Sequence, residues 1–577
     1  AVPKRILVVA EHRYGHGSGH MHRCSRLVRD LEGSIDWLLP ERPSEGYRSR
    51  VEMRELIGNA DLPVQWIDTP NPPYDLVILD KRDATREELL GFGDVGIVVG
   101  IDLAGEARRF CSYVIDTLPT PPGEAPPNIA DPGLLHLPQT IREQWPEKLE
   151  SVLVVFGGES AGTESVAAAE YLQGVSGVSV TAAVRELPGS GGSVATLRTA
   201  GGLPEYLAQF DCVITHFGLT AYEALWARVP VICINPTSYH DELSDRAGFV
   251  RTDRIESVPK LLSRFDRLVQ CSREVRPSGR SDPAVLINSL AVPARVHPPS
   301  GGERYQPSLE RYGERTFFQN ARNGMIFQQN FRGVEVHYNH DYFFREYRDQ
   351  YGRTYLEDFD SITAVGDRRV ADIRRVLSRN SGKARFLDIG CAYGPFLTAA
   401  VRAGYTAKGI DVSCDAVEYA RKERGLDAVC GDIRDIPLET LGGPFDVVTM
   451  WYVIEHFSDL DVLLRRVRAL LADGGIFAFS TPNARGISGR TDRREFLRRS
   501  PDDHYTVWDP VTARRVLAEF GFTLRRVRIT GHHPERFENT PFSQRSLQSG
   551  VVRALVGLWS RLRGLGDTFE VIAEATG

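Results

Sequence analysis

Two stretches of this sequence carry residue types at spacings that can do chemistry. The first is Glu11-His12-Arg13-Tyr14-Gly15-His16-Gly17-Ser18-Gly19-His20-Met21-His22-Arg23, followed by the helical pattern SRLVRDLE. Glycines such as Gly19 let a ligand approach the backbone, and the free N–H groups of the following helix favour a phosphate or a sugar there. His20 closes the turn, where an imidazole can take up a proton near neutral pH. The second stretch is Asp388-Ile389-Gly390-Cys391-Ala392-Tyr393-Gly394, a small-residue turn between the strand pattern RFLDI and the helix pattern PFLTAAVRAGY. The next strand pattern ends in Gly409-Ile410-Asp411, which sets a carboxylate about 20 residues beyond the turn, where ribose hydroxyls can be held.

Further stations follow each stretch in order. Behind the second come Gly431-Asp432-Ile433, then Phe445-Asp446-Val447-Val448 leading to Ile454-Glu455-His456, then Asp473-Gly474-Gly475, and a strand ending Ser480-Thr481-Pro482-Asn483. His456, and His504 in the run DDHYTVWDP, are the candidate bases for a hydroxyl acceptor. Behind the first come Phe156-Gly157-Gly158-Glu159-Ser160 and Thr215-His216-Phe217-Gly218-Leu219-Thr220-Ala221-Tyr222-Glu223. Gly218, Leu219 and Thr220 open a helix and offer backbone N–H groups to a diphosphate, and Glu223, one turn in, can reach a ribose. The histidines around His20 are expected to bind no metal. They lack an H-E-x-x-H pattern and clustered carboxylates.

The elements that must position these groups are β-α units. Apolar runs ending in Gly, Asp or Ser alternate with helical patterns, so the predicted class is α/β with parallel sheets. Strands are predicted at 5–10, 75–80, 95–102 and 113–116, then at 151–158, 178–184, 211–215 and 229–234. A third block has seven, at 385–389, 407–411, 428–430, 446–450, 476–480, 523–529 and 568–573. The expected organisation is two Rossmann-like halves (1–135 and 136–272), a Pro/Ser/Gly/Arg-rich linker (273–304), an aromatic cap (305–370) and a third Rossmann-like domain (371–577). The cap aromatics Phe317, Phe318, Tyr338, Tyr342, Phe343 and Phe344 read as core before they read as a sugar platform.

A formal charge of -6 and a pI near 6.2 supply no basic field for a phosphate backbone, which argues against nucleic acid as a partner. The eight cysteines are scattered and are expected to be reduced thiols. No apolar run reaches the roughly 20 residues of a membrane-spanning helix, and the chain opens directly into a strand pattern, so a cytoplasmic location is expected. Residues 551–565 (VVRALVGLWSRLRGL) carry apolar steps flanked by arginines. They are expected to be the helix before the last strand, while the same pattern suits peripheral association with a membrane surface.

The ordered stations from Asp388 to Asn483 resemble the class I S-adenosylmethionine (SAM) methyltransferases that act on small molecules and sugars. The resemblance implies SAM as cofactor, bound by the turn that begins at Asp388, with Gly390 and Gly394 flanking the methionine moiety, Asp411 on the ribose, and Asp432 with Ile433 on the adenine. Ala392 stands where that family often has glycine. GSGHMHRC, FGGE and HFGLTAYEALWARVPVICI resemble the two-domain inverting glycosyltransferase (GT-B-like) fold of the lipid II N-acetylglucosaminyltransferase. They are closer to the UDP-sugar hydrolase of pseudaminic acid synthesis. That resemblance implies His20 as base, Gly19, Gly157, Gly158 and Gly218 to Thr220 about the nucleotide-sugar, and Glu223 on its ribose. His216-Phe217 and His240-Asp241-Glu242 depart from it. The expected function is bifunctional: a nucleotide-sugar donor, UDP favoured, is used by the N-terminal half, and a glycan, glycolipid or small sugar acceptor is methylated by the C-terminal half. A nucleotide-sugar hydrolase, or a non-catalytic glycan-binding N-terminal module, are the alternatives; the sequence leaves the oligomeric state open.

Overall fold

The computed structural model describes residues 4–14, 16, 19–156, 162–184, 194–198, 203–290, 305–332, 348, 352–377, 384–537 and 549–576. Its chain divides into two compact units, residues 1–292 with 311–315, and residues 293–310 with 316–577.

The first unit holds two parallel sheets. One consists of β1 (Arg5–Ala10), β2 (Ser34–Leu38), β3 (Gln65–Ile67), β4 (Tyr74–Asp80), β5 (Val95–Ile101), β6 (Tyr113–Asp116) and β7 (Ile129–Ala130), in the order β3-β2-β1-β4-β5-β6-β7. Its central strands are nearly unbroken apolar runs because helices cover both faces; Ile6, Leu7, Val8, Val77 and Ile78 are fully buried. The other consists of β8 (Ser151–Val155), β9 (Ser179–Val184), β10 (Ala195–Arg198), β11 (Cys212–Thr215) and β12 (Val231–Cys233), in the order β10-β9-β8-β11-β12. Both sheets reverse strand order beside their first strand, at β1/β4 and at β8/β11. Loops leaving such a point diverge and open a crevice at the carboxyl ends of the strands, the usual place for a ligand in this class.

The long apolar strands fall where the sequence puts them. β2, β3, β7 and β10 were not anticipated, because short mixed segments such as SIDWL and QWI become strands only through pairing with β1 and each other. Residues 273–304, read as a linker, contain a helix at Pro283–Ser289 with Asp282 as its N-cap. Lys4 Nζ donates to Asn288 O and Leu290 O at its far end, which ties this stretch to the foot of β1.

Two further sheets follow: a small one, β13 (Ser308–Tyr312), β14 (Arg315–Gln319), β15 (Ile326–Asn330) and β21 (Thr506–Val507), and a large one in the second unit. The large sheet comprises β16 (Arg385–Ile389), β17 (Thr406–Asp411), β18 (Asp427–Cys430), β19 (Phe445–Trp451), β20 (Leu471–Pro482), β22 (Phe522–Thr530) and β23 (Thr568–Ala575). Its order is β18-β17-β16-β19-β20-β23-β22, with β23 antiparallel to both neighbours and the remaining pairs parallel. All seven predicted strands are present. Phe317 and Phe318 are buried in the small sheet's core, so they form no platform; Tyr338, Tyr342, Phe343 and Phe344 lie outside the described residues.

One expectation is corrected. Cys414 and Cys430 are joined as a disulfide, with Cα atoms 5.0 Å apart, so not every cysteine is a reduced thiol. A 16-residue separation looks scattered in sequence, yet β17 and β18 are hydrogen-bonded neighbours and bring the end of β18 beside the helix that follows β17. The six other cysteines are free, and all but the half-buried Cys271 are buried.

Candidate functional site

In the first unit the site begins at the carboxyl edge of the first sheet, where successive strands end in acids. Ala10 of β1 is followed by Glu11, β4 ends in Asp80, Ile101 of β5 is followed by Asp102, and β6 ends in Asp116, all buried. Buried carboxylates must be paired. Arg108 makes a two-pronged bond to Asp116 at 2.8 Å, and Arg23 bridges Asp80 (Nε to Oδ2, 2.7 Å) and Asp102 while also donating to Thr117 Oγ1 at 2.7 Å. His20 Nδ1 lies 2.7 Å from Asp80 Oδ1. Burial works against the Asp80 carboxylate, yet Arg23 and His20 outweigh it and hold it well below the usual range. An ionised Asp80 accepts the Nδ1 proton of His20, which fixes the tautomer and leaves Nε2 as the basic atom.

The facing edge belongs to the second sheet. Helix Leu219–Trp226 follows β11, with Gly218 before it at φ +152 and, among the described residues, no atom near where a Cβ would stand. The two edges meet: a Cβ on Gly19 would lie 3.4 Å from Leu219 Cδ1, and Arg26 Nη1 lies 3.3 Å from Glu223 Oε1. His20, Gly19, Gly218, Leu219 and Thr220 are therefore gathered about one crevice. Glu223 is there too, but buried and engaged by Arg26; burial pushes its carboxyl up although Arg26 opposes this. Gly157 and Gly158 lie outside the described residues. The departures noted in sequence have separate fates. Phe217 joins the core with Tyr222 and Phe249, while His240 receives Arg82 Nη2 at 3.3 Å and burial pushes its pKa down to about 4.

In the second unit the turn after β16 is a cradle that side chains would fill. A Cβ on Gly390 (φ +77) would meet Val453 Cγ2 at 2.3 Å, and one on Gly394 (φ +84) would meet Leu426 Cδ1 at 2.4 Å. Ala392 holds a φ of +45, so the strained turn tolerates the small side chain that replaces glycine. Asp411 ends β17; its Oδ2 accepts Ala392 N at 2.7 Å and its Oδ1 accepts Ser413 N at 2.8 Å. These backbone donors fix the carboxylate in place, while burial raises its pKa against them. Asp388 lies beneath, buried, with Thr449 Oγ1 donating to it at 2.6 Å; burial pushes its pKa up to about 7. Ile433 is buried beyond β18, whereas the Asp432 carboxylate is committed to Arg434.

The two candidate bases of this unit are brought together. The rings of His456 and His504 stand edge to face with centroids 4.8 Å apart, and His456 Nδ1 lies 2.9 Å from Asp503 Oδ2. Burial pulls His456 down, but Asp503 and Glu455 outweigh it and hold its pKa above the usual value. His504 goes the other way, pushed down to about 4 by burial and by the neighbouring His456. Glu455 completes the group: it is buried, its Oε2 has no hydrogen-bond partner within bonding distance among the described residues, and burial pushes its pKa up to about 7. One ligand atom from each of Glu455, His456 and His504 falls within 4.8 Å of the others, a set able to hold a cation. Asp80 and Asp503 are the site residues that sequence reasoning missed. Asp80 had a signal, an apolar run ending in an acid.

The family described as Methyltransferase domain is matched by residues 364–527, all within the second unit. Curated relatives include the ubiquinone biosynthesis O-methyltransferase of Bordetella avium, 31% identical over 130 residues, covering 22% of this chain and 54% of that one. The protein of the same name from Brucella ovis is 35% identical over 102 residues, covering 17% and 41%. The chain thus spans about half the length of the curated relatives it matches. Among solved structures, a SAM-dependent methyltransferase from Archaeoglobus fulgidus is 18% identical and covers 40% of this chain and 98% of that one at a TM-score of 0.28. Magnesium protoporphyrin IX methyltransferase from Synechocystis, with SAH bound, is 14% identical and covers 41% and 97% at 0.27. Within the second unit, residues 364–527 therefore carry a methyltransferase domain, on a sheet of Rossmann-like α/β order.

Proposed function

We propose that the chain is a bifunctional enzyme of glycan biosynthesis, in which the second unit methylates a hydroxyl of a sugar or related small acceptor and the first unit uses a nucleotide-sugar. Bound SAM supplies an electrophilic methyl group. The protein's part is to align the acceptor and remove its proton. Asp411 holds the ribose hydroxyls, the Gly390 and Gly394 backbone flanks the methionine portion, and Ile433 packs on the adenine. His504, neutral at working pH because burial holds it down to about 4, takes the hydroxyl proton as the oxygen attacks. His456, held by Asp503 and shifted above its usual pKa, stands edge to face with it and fixes its ring.

In the first unit His20 Nε2 takes a proton from the attacking hydroxyl at the anomeric carbon. The N–H groups from Gly218 to Thr220 stabilise the departing diphosphate. The observation that carries this reading is the hydrogen bond from His20 to the buried carboxylate of Asp80, at a strand-order reversal that faces the N-terminus of Leu219–Trp226. The experiment is nucleotide release from UDP-sugars by the full chain and by His20→Ala. Release that depends on an acceptor and is lost in the variant supports sugar transfer; release without acceptor assigns the unit to hydrolysis. Release that is absent, or unchanged by His20→Ala, removes the reading.

A further inference from the structure

Helix Gly550–Arg563 leads into β23 and is fastened to the second unit along one side only. Val556 and Ser560 are buried, Val556 packing with Ile487, Phe537 and Leu565, and Ser560 Oγ lies 2.8 Å from His532 Nδ1. The opposite side carries Val551 (71% exposed), Leu555 (61%), Leu558 (54%) and Leu562 (77%), with Trp559 (41%) at the margin, its ring against Phe537. Steps of four, three and four residues put these side chains on one stripe. Of the 19 large hydrophobic side chains exposed among the described residues, five belong to this helix of 14, while the others stand singly or in small groups elsewhere. A contiguous exposed stripe of this kind marks an interaction surface.

The charge around the stripe selects the occupant. The helix has three arginines, Arg553, Arg561 and Arg563, and no acidic residue. Arg553 is paired with Glu535 outside the helix; Arg561 and Arg563 make no ion pair among the described residues. A second copy docked through the same stripe would set arginines against arginines with no helix acid between them, whereas an anionic surface takes apolar stripe and arginines together. The helix is too short to span a bilayer, and no described helix is long and apolar enough to do so.

We infer that helix Gly550–Arg563 lies in the plane of an anionic lipid surface, with Leu555, Leu558 and Leu562 below the headgroups and Arg561 and Arg563 at their level. The test is co-sedimentation of the full chain with phosphatidylcholine vesicles with and without phosphatidylglycerol, alongside sedimentation velocity without lipid. The expected result is binding only when phosphatidylglycerol is present. It should be lost in Leu555→Ser/Leu562→Ser and weakened about thirtyfold in Arg561→Gln/Arg563→Gln. Should the serine variant fail to fold, the arginine variant and the fall of wild-type binding with added salt carry the test. No binding to either vesicle overturns the inference. So does a wild-type dimer that becomes monomeric in the serine variant, which would assign the stripe to a second copy.

Discussion

Asp80→Asn changes one oxygen to a nitrogen at a buried, multiply bonded carboxylate of the first unit. Asp80 is fully buried and accepts from His20 Nδ1 and from Arg23 through both of its oxygens, with Cys24 Sγ 3.4 Å away. Asparagine keeps the shape but removes the charge, leaving the buried Arg23 with Asp102 as its one anion. Breaking a buried pair costs roughly 3–5 kcal/mol, and the surviving Asp102 sets the loss at the lower end, about 3 kcal/mol. For a unit of this size that lowers the melting midpoint by roughly 5 °C. The sign with pH follows from Asp80 being held below its ordinary pKa. Its contribution is complete above the unfolded value and disappears as pH falls below about 4, so the gap between wild type and variant stays constant from neutrality to about pH 5 and then narrows. His20→Ala removes the histidine but leaves the Asp80–Arg23 pair, and should cost far less stability. Calorimetric melting of the three proteins from neutral to acid pH is the assay. An Asp80→Asn protein that melts with the wild type, or a gap that widens toward acid, refutes the reasoning.

Three further predictions concern the second unit. Asp411→Asn should weaken uptake of S-adenosylhomocysteine about tenfold to a hundredfold in calorimetric titration, because an amide cannot accept at both Ala392 N and Ser413 N and still receive the ribose. Gly394→Ala should destabilise by about 2 kcal/mol or more in urea unfolding, from the positive φ and the approach to Leu426; Gly394→Ala/Leu426→Ala should recover the contact part and leave the backbone part. His504 is pushed down to about 4, so its contribution is complete above about pH 6.5 and is lost as pH falls toward 4. His504→Gln should therefore flatten the acid limb of the stability profile by up to about 3 kcal/mol, and coincident limbs would remove the claimed burial.

How legible this was depended on the range of the interaction. The turn at Asp388 to Gly394 and the carboxylate of Asp411 could be read because neighbouring parallel strands repeat a local pattern: an apolar run, small residues, an acid at the strand end. The crevice of the first unit was half legible. His20 stood out in a glycine-rich loop with Arg23 three residues on, but Asp80 and Asp102 join them across 60 and 79 residues, and only the parallel ladders put these acids side by side. The same holds for β15 against β21, for the disulfide of Cys414 and Cys430, and for Asp503 beside His456. The amphipathic pattern at 551–565 did foretell a helix; which of its faces stays bare follows from Phe537 and Ile487 covering the other.

Titrating S-adenosylhomocysteine into the full chain by calorimetry tests the central claim most directly, with Asp411→Ala as the control. The account predicts one equivalent bound per chain and no uptake by the variant, while both proteins give the same circular dichroism spectrum. A folded wild-type protein that takes up none, or a variant that binds as tightly as the wild type, would contradict it.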